Sequence, residues 1–584
     1  MAEVAAKHLE GTDRLHRHAG EIVLDSSGSS KKKKKKKALP HPKPQPEEEE
    51  AEAEAVVIAT KRNEIFAHEK KTEEKKETKP ETKKVELPKI GGASVEKDDP
   101  ENRRRRDAVR DAMRHAWGGY EKYAFGKDEV SPLSHRAVEN WGGMGNTLVD
   151  SLDTLWIMEL YEEFDRAKEW VRTKLHYNVQ NPISTFETTI RSLGGLLAAY
   201  DRSGDAVFLT KAVDLGDRLL ATFNTKSGLP SGQSLLKKGT GGSAGWLRGS
   251  YVLAEVATLQ VEFRYLAAVT GNRKYATTSE KVFHMLKEVE PEDGLYPYKL
   301  GWDAHTNKIR FTNTQISFGA MGDSFYEYLL KVWIQGGKKE SMYREMYDKS
   351  IDGMANKLIQ KTKKEKLTYI AERSNGRLQH KMDHLACFMG GLLALGAYTD
   401  PGGLDSERAQ RDLQLAKDIT YTCYQMYKQM PSGLAAEKFS FGCESKDMCP
   451  SSARFYILRP EFVESLFVLH HLTGDPTYRQ WGWEIFQALE KHCKTDIAYA
   501  SLKDVMVENP IKEDKMESFF LAETLKYLYL LFDEEGQVDL LEKHVLNTEA
   551  HPLRWITDTE LQKLAIQNFD PQEVGPTIVH GEVW

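Results

Sequence analysis

Residues 458–467, LRPEFVESLF, put two carboxylates on a helix that cannot face water. Pro460 suits a first helical turn, where its missing N–H has no intrahelical partner to lose. Phe462, Val463, Leu466 and Phe467 spread around the cylinder and predict a buried helix, yet Glu461 and Glu464 stack three residues apart on one face. The conflict recurs in six other apolar stretches, which hold Asp150 and Asp153, Glu187 and Arg191, Glu255 and Glu262, Asp323 and Glu327, Asp383 and His384, and Glu517 and Glu523. Burying a lone carboxylate is costly, so one such stretch reads as an ion-paired oddity. Seven of them predict a shared polar cavity, of the kind a sugar or a cation occupies.

The elements that must position these acids follow from punctuation and periodicity. Ser203-Gly204-Asp205, Thr270-Gly271-Asn272 and Thr473-Gly474-Asp475 each follow an apolar helix, with Phe208, Tyr275 or Tyr478 three residues after the acid or amide. Gly ends one helix and Asp or Asn caps the next, so these are helical hairpins. The seven apolar helices lie near 148–160, 186–200, 253–266, 319–334, 384–397, 460–472 and 518–532, most of them followed by a more amphipathic one. Buried helices alternating with half-buried ones predict concentric rings, an all-α toroid closed by seven hairpins.

The rest of the composition narrows the class. The chain has 584 residues, a net charge of −6 and 29% charged residues, so bulk electrostatics names no partner. Residues 1–103 hold KKKKKKK, PHPKPQPEEEE and RRRR with almost no apolar periodicity, and are expected to be a disordered, charge-rich arm. Aromatic interleaving and a basic fold are missing, so a solvated linker is expected there and no nucleic acid. No run of about 20 apolar residues and no signal peptide occurs, so neither a transmembrane segment nor a leader is expected. Five cysteines, Cys387, Cys423, Cys443, Cys449 and Cys493, allow at most two bridges and show no paired metal spacing.

The segments TFETTIRSLGGLLAAY, GAMGDSFYEYLLKVW, KMDHLACF, ILRPEFVESLF, SFFLAETLKYLYLLF and LNTEAHPL occur in order from about residue 105 to 553. This series resembles the class I α-1,2-mannosidases, glycoside hydrolase family 47, and is closest in look to the Golgi and plant processing type. The resemblance implies an (α/α)7 barrel over residues 104–555 with a C-terminal hairpin plug, and a tail over 556–584. It implies an inverting exo-hydrolase trimming terminal α-1,2-linked mannose from high-mannose N-glycans, with Glu187 the general acid, Glu461 the general base and Asp323 a third essential carboxylate. The sharing of proton duties between Glu187 and Asp323 stays open. An inverting hydrolase needs its two carboxyls about 6.5–9.5 Å apart, with water between, so neighbours on one turn such as Glu461 and Glu464 cannot be the pair.

By the same resemblance Thr548 supplies its hydroxyl and carbonyl to Ca2+, while Arg191, His384, Arg459, Glu464, Phe519, Glu523 and Glu549 contact the sugar or order its water. Cys387 and Cys423 match the family's disulfide, Cys443 and Cys449 would close a small loop, and Cys493 stays free. Outside this matched set, Asp150, Asp153, Glu255 and Glu262 are expected to be structural. Met321 stands where the endoplasmic reticulum enzymes carry arginine, which implies broader, Golgi-like trimming. A monomer in the Golgi or endoplasmic reticulum lumen is expected, and the alternative from another class is a noncatalytic mannose-binding quality-control adaptor on the same toroid.

Overall fold

The computed structural model describes residues 99–242, 249–444 and 446–564. Residues 1–98 of the expected arm lie outside this set, but its last residues do not: Pro100 opens a helix that runs to Ala124. Asp99 caps it by accepting a hydrogen bond from the Glu101 amide, so residues 99–103, expected to belong to the arm, are part of the helix and its cap. Of the tail, 558–564 form a short helix and 565–584 lie outside the described residues.

Fourteen helices make the two rings. They are α1 (Pro100–Ala124), α2 (Leu152–Ile157), α3 (Tyr161–Thr173), α4 (Gly194–Ser203), α5 (Ala206–Leu220), α6 (Gln260–Thr270) and α7 (Lys274–Glu288). There follow α8 (Asp323–Gln335), α9 (Ser341–Lys357), α10 (Met389–Tyr398), α11 (Glu407–Lys428), α12 (Glu461–Thr473), α13 (Pro476–His492) and α14 (Leu525–Phe532). Even-numbered helices form the inner ring, each touching the next, and the turn just before α14, Phe520–Thr524, closes it against α2 and the segment that leads into it. Odd-numbered helices pack outside. The seventh outer helix is not a successor of α14. It is α1, from the opposite end of the described residues, so segments far apart in the chain close the barrel together.

Burial follows that layering. In α10 every residue from Met389 to Ala397 is buried, whereas α3 buries only Phe164, Ala167 and Val171. The turn signals hold: Asp205 and Asp475 accept from the amides two residues on, as does Asn272. Gly474 ends α12 with φ 71°, a left-handed conformation that costs a glycine little.

Short antiparallel strands, absent from the helical reading, feed the inner ring. Ile183–Ser184, Tyr251–Val252 and Lys381–Asp383 each end where an inner helical segment starts, at Thr185, Leu253 and His384. Each is pinned by a neighbouring strand, so the N-terminal ends of these segments are held at one rim. From the other end a hairpin, His544–Leu546 paired with Pro552–Arg554, plugs the barrel. Its base bonds the last turn of α8, Ile556 N to Gln335 O at 2.8 Å, and its tip climbs to the Tyr328 hydroxyl.

Cys387–Cys423 ties the turn before α10 to α11, Cys443–Cys449 closes a strand loop, and Cys493 is buried and free. Among the described residues no helix is long and apolar enough to cross a membrane. The Cys387–Cys423 bridge spans 36 residues. Replacing both cysteines by alanine is therefore expected to lower unfolding free energy by about 3–4 kcal/mol in urea titrations, with the fold retained.

Candidate active site

The acids of the inner helices gather at the rim where those helices start. Glu461 is the first residue of α12 and Asp323 the first of α8, while Glu187 closes the short turn that precedes α4. Helix N-termini carry partial positive charge, which favours carboxylates there. Along α12 the apolar residues are buried, but the Glu461 and Glu464 side chains each keep 14% of their surface. Both acids of the LRPEFVESLF stretch thus reach solvent from inside the ring.

Local backbone aims these groups. The Ser184 hydroxyl accepts from the Glu187 amide at 3.2 Å, and the next six residues, Thr188–Leu193, form a π-helical turn carrying Arg191. A second π-helical turn, Phe520–Thr524, carries Glu523. Such turns insert an extra residue and swing side chains off the α-helical register, and they recur at functional sites. Met321, Leu458 and Ala550 have φ of 78°, 69° and 59°, and lie two, one and one residues from Asp323, Arg459 and Glu549. Left-handed backbone in residues with a Cβ is strain of order 1–3 kcal/mol each, maintained here beside the polar groups.

Three cations hold the acids, each clasping more than one. Arg191 donates Nε–H to Glu187 at 2.9 Å, and its Nη1 reaches Glu549 and, at 3.5 Å, Asp150. Its guanidinium lies 5.7 Å from the ring centres of both Trp141 and Phe519. Lys331 pairs with Glu327 and stands 3.8 Å from Glu464. Arg459 forks onto Glu437 and donates Nη1 to Glu461 at 3.4 Å.

The environments set the carboxyls apart. Burial opposes charge on Glu461, but Arg459 and the hydrogen bond from His384 outweigh it and hold this acid below its ordinary value. Among the described residues no cation pairs with Asp323. Burial, with Glu327 and Glu461 nearby, pushes it up to about 7 against the pull of the Ser324 amide. Burial likewise raises Glu464 to about 8 despite Lys331. Burial and then the charge of Glu461 drive Glu523 well above the carboxylate range.

One expectation changes. His384, expected to contact sugar, is 1% exposed, with Nδ1 3.0 Å from Glu461 and Nε2 2.7 Å from the Tyr427 hydroxyl. It stands behind Glu461 and orients it. Phe519, expected to contact sugar, lies against Arg191 and is as exposed as that residue, at 8%. Glu437, Lys331, Asn547 and His551 escaped the sequence reading: Glu437 shows no spacing signal, Lys331 lies unremarked inside GAMGDSFYEYLLKVW four residues after Glu327, and the other two lie unremarked inside LNTEAHPL. Asp150 and Asp153, expected to be structural, pair with His551, Lys526 and Arg191. Glu262 accepts from Tyr328 and Asn547, while Glu255 is half-buried and raised to about 7 by burial.

A profile of glycosyl hydrolase family 47 matches residues 112–555, the span from α1 to the end of the plug. The chain belongs to this family. Among family 47 relatives, the mannosyl-oligosaccharide 1,2-alpha-mannosidase MNS1 of Arabidopsis thaliana is 46% identical over 472 residues, covering 80% of this chain and 82% of that one. The endoplasmic reticulum mannosyl-oligosaccharide 1,2-alpha-mannosidase of Homo sapiens is 43% identical over 77% of this chain and 64% of its own length. The solved alpha-1,2-mannosidase from Trichoderma reesei superposes with a TM-score of 0.72 at 30% identity, covering 78% of this chain and 99% of that one.

Lys331 is the ammonium between Glu327 and Glu464 and is itself buried. Lys331→Met leaves both acids without it and is expected to cost about 3–5 kcal/mol of stability, measured by urea unfolding.

Proposed function

We propose that the chain is an inverting exo-α-1,2-mannosidase that trims terminal mannose from high-mannose N-glycans. The observation that carries this reading is the opposed state of two carboxyls from separate inner helices: Glu461 held ionised, Asp323 neutral up to about pH 7. Inversion needs that division, one group ready to take a proton from water and another side able to give one to the departing oxygen. The names of the family 47 relatives support the choice of mannose and of the 1,2 linkage.

In this mechanism Glu461 removes a proton from the attacking water, with His384 and Arg459 fixing its orientation and its charge. Glu187, held by Arg191, and Asp323 share the proton-giving side toward the glycosidic oxygen, with the neutral Asp323 carboxyl as its source of the proton. Water attacks the face opposite the leaving group, so β-mannose is the first product. Met321, half-buried two residues before Asp323, offers no charge to a neighbouring glycan branch. Trimming of several mannoses follows, in the secretory pathway lumen.

The residues fit a calcium ion. Among the described residues no three His, Cys, Asp or Glu side chains converge as a metal-binding group. A site would therefore rest on Thr548, half-buried at the plug tip, with water and sugar oxygens completing the shell. All donors there are oxygens, and Glu464 and Glu523 are raised by burial and by neighbouring acids, which is the excess of negative charge that a hard divalent cation relieves. When bound, calcium would polarise and orient sugar hydroxyls.

Incubation with a nine-mannose glycan in calcium is expected to release mannose, and early proton NMR to show the β anomer. No release would favour the adaptor alternative, and α-mannose first would exclude inversion. Glu187→Gln, Asp323→Asn and Glu461→Gln are each expected to lower kcat by orders of magnitude with the fold intact. In the wild type kcat/KM should hold from below the ordinary glutamate value of 4.5 and fall as Asp323 ionises above about 7. Thr548→Ala should shrink the rise in Tm on adding calcium, since a ligand stabilises only the state that binds it.

A further inference from the structure

Behind Arg191 lies a second polar cluster that makes no direct contact with the catalytic carboxyls. Asp150, Asp153, Lys526 and His551 are each wholly buried, at 0% exposure. His551 comes from the plug, Asp150 and Asp153 from the first inner helical segments, and Lys526 from α14. The His551 ring sits between the two aspartates, Nδ1 2.9 Å from Asp153 and Nε2 3.1 Å from Asp150. With a carboxylate at each nitrogen both must be donors, so the ring is the imidazolium. Lys526 completes the set, 2.6 Å from Asp153 and donating to the Ala550 carbonyl at 2.8 Å.

The cluster is wired to the site through Asp150. Its free oxygen accepts from the Ser518 hydroxyl and lies 3.5 Å from Arg191 Nη1, which also reaches Ser518 at 3.4 Å. Arg191 in turn holds Glu187 at 2.9 Å. A second tie runs from the plug to the same turn: Asn547 donates to the Ile190 carbonyl at 2.9 Å, inside the π-helical turn between Glu187 and Arg191. Gly194 makes room for both plug residues, since a Cβ there would fall 2.7 Å from the Asn547 amide nitrogen and 2.8 Å from the His551 ring.

We propose that His551 is a positioning residue: from the plug it fixes Asp150, and through Asp150 the guanidinium of Arg191 that holds Glu187 in place. The plug on this account sets the geometry of the proton-donating side of the site as well as closing the barrel. Without the ring, Asp150 gains freedom to draw Arg191 off Glu187, because it keeps its charge and loses the other cation paired with it. The kinetic consequence rests on the mannosidase reading above, whereas the structural consequence does not.

The experiment compares wild type, His551→Gln and Ser518→Ala in calcium on α-1,2-mannobiose, with a crystal structure of each. Residues that orient another functional group typically carry effects of about 10- to 100-fold on activity. His551→Gln should therefore lose about that factor in kcat with KM changed little, and Ser518→Ala, the milder change, a smaller factor of the same kind. In both structures Arg191 should have left Glu187. The double variant His551→Gln/Arg191→Lys should be no slower than Arg191→Lys alone, because both act through one contact. A folded His551→Gln with wild-type kcat and the 2.9 Å contact intact would overturn the proposal, as would fully multiplicative effects. If His551→Gln fails to fold, Ser518→Ala decides by the same two readouts. A wild type that releases no mannose sinks the activity reading, and the Arg191–Glu187 contact in the variant structures then judges the clamp alone.

Discussion

A helical ring that buries carboxylates on nearly every inner helix must answer their mutual repulsion, and the structure is organised around that constraint. Three cations do most of it, and each serves more than one acid: Arg191 for Glu187, Glu549 and Asp150, Lys331 for Glu327 and Glu464, Arg459 for Glu437 and Glu461. There are more acids than these cations neutralise. The remainder is taken up by protons, as at Asp323 and Glu464, where burial makes the neutral form the stable one near neutral pH. Uneven compensation is what gives neighbouring carboxyls different states, and different states are what hydrolysis across a sugar requires.

Much of the scaffold was legible in the chain because it depends on short-range chemistry. Gly204–Asp205, Gly271–Asn272 and Gly474–Asp475 mark helix ends by left-handed backbone and side-chain caps, which are local. The inner helices announce themselves by being apolar all round. The closure of the ring by α1 was not legible: its Val109, Met113 and Trp117 look like any amphipathic face, and only the geometry of seven pairs decides that they cover α14.

The site was legible as a set of acids and only partly as an arrangement. Glu187, Asp323 and Glu461 stand at one rim because their helices start there. The π-helical turns at Thr188–Leu193 and Phe520–Thr524, and the left-handed Met321, Leu458 and Ala550, carry no composition signal. They are tied to distant parts of the chain: Asn547 of the plug donates to the Ile190 carbonyl in the first turn, and Thr524 at the end of the second donates to the Leu458 carbonyl. His384 was matched to a sugar contact by resemblance alone, whereas its burial, the Tyr427 hydroxyl behind it and its contact with Glu461 make it a support for that acid.

The account stands or falls on whether a neutral and an ionised carboxyl share the well at neutral pH. Difference infrared spectroscopy of the wild type against Asp323→Asn and against Glu461→Gln, at pH 6, tests this directly. The predicted result is that a protonated-carboxyl band disappears with Asp323→Asn and a carboxylate band with Glu461→Gln. Loss of a carboxylate band on replacing Asp323, or of a protonated band on replacing Glu461, would contradict it.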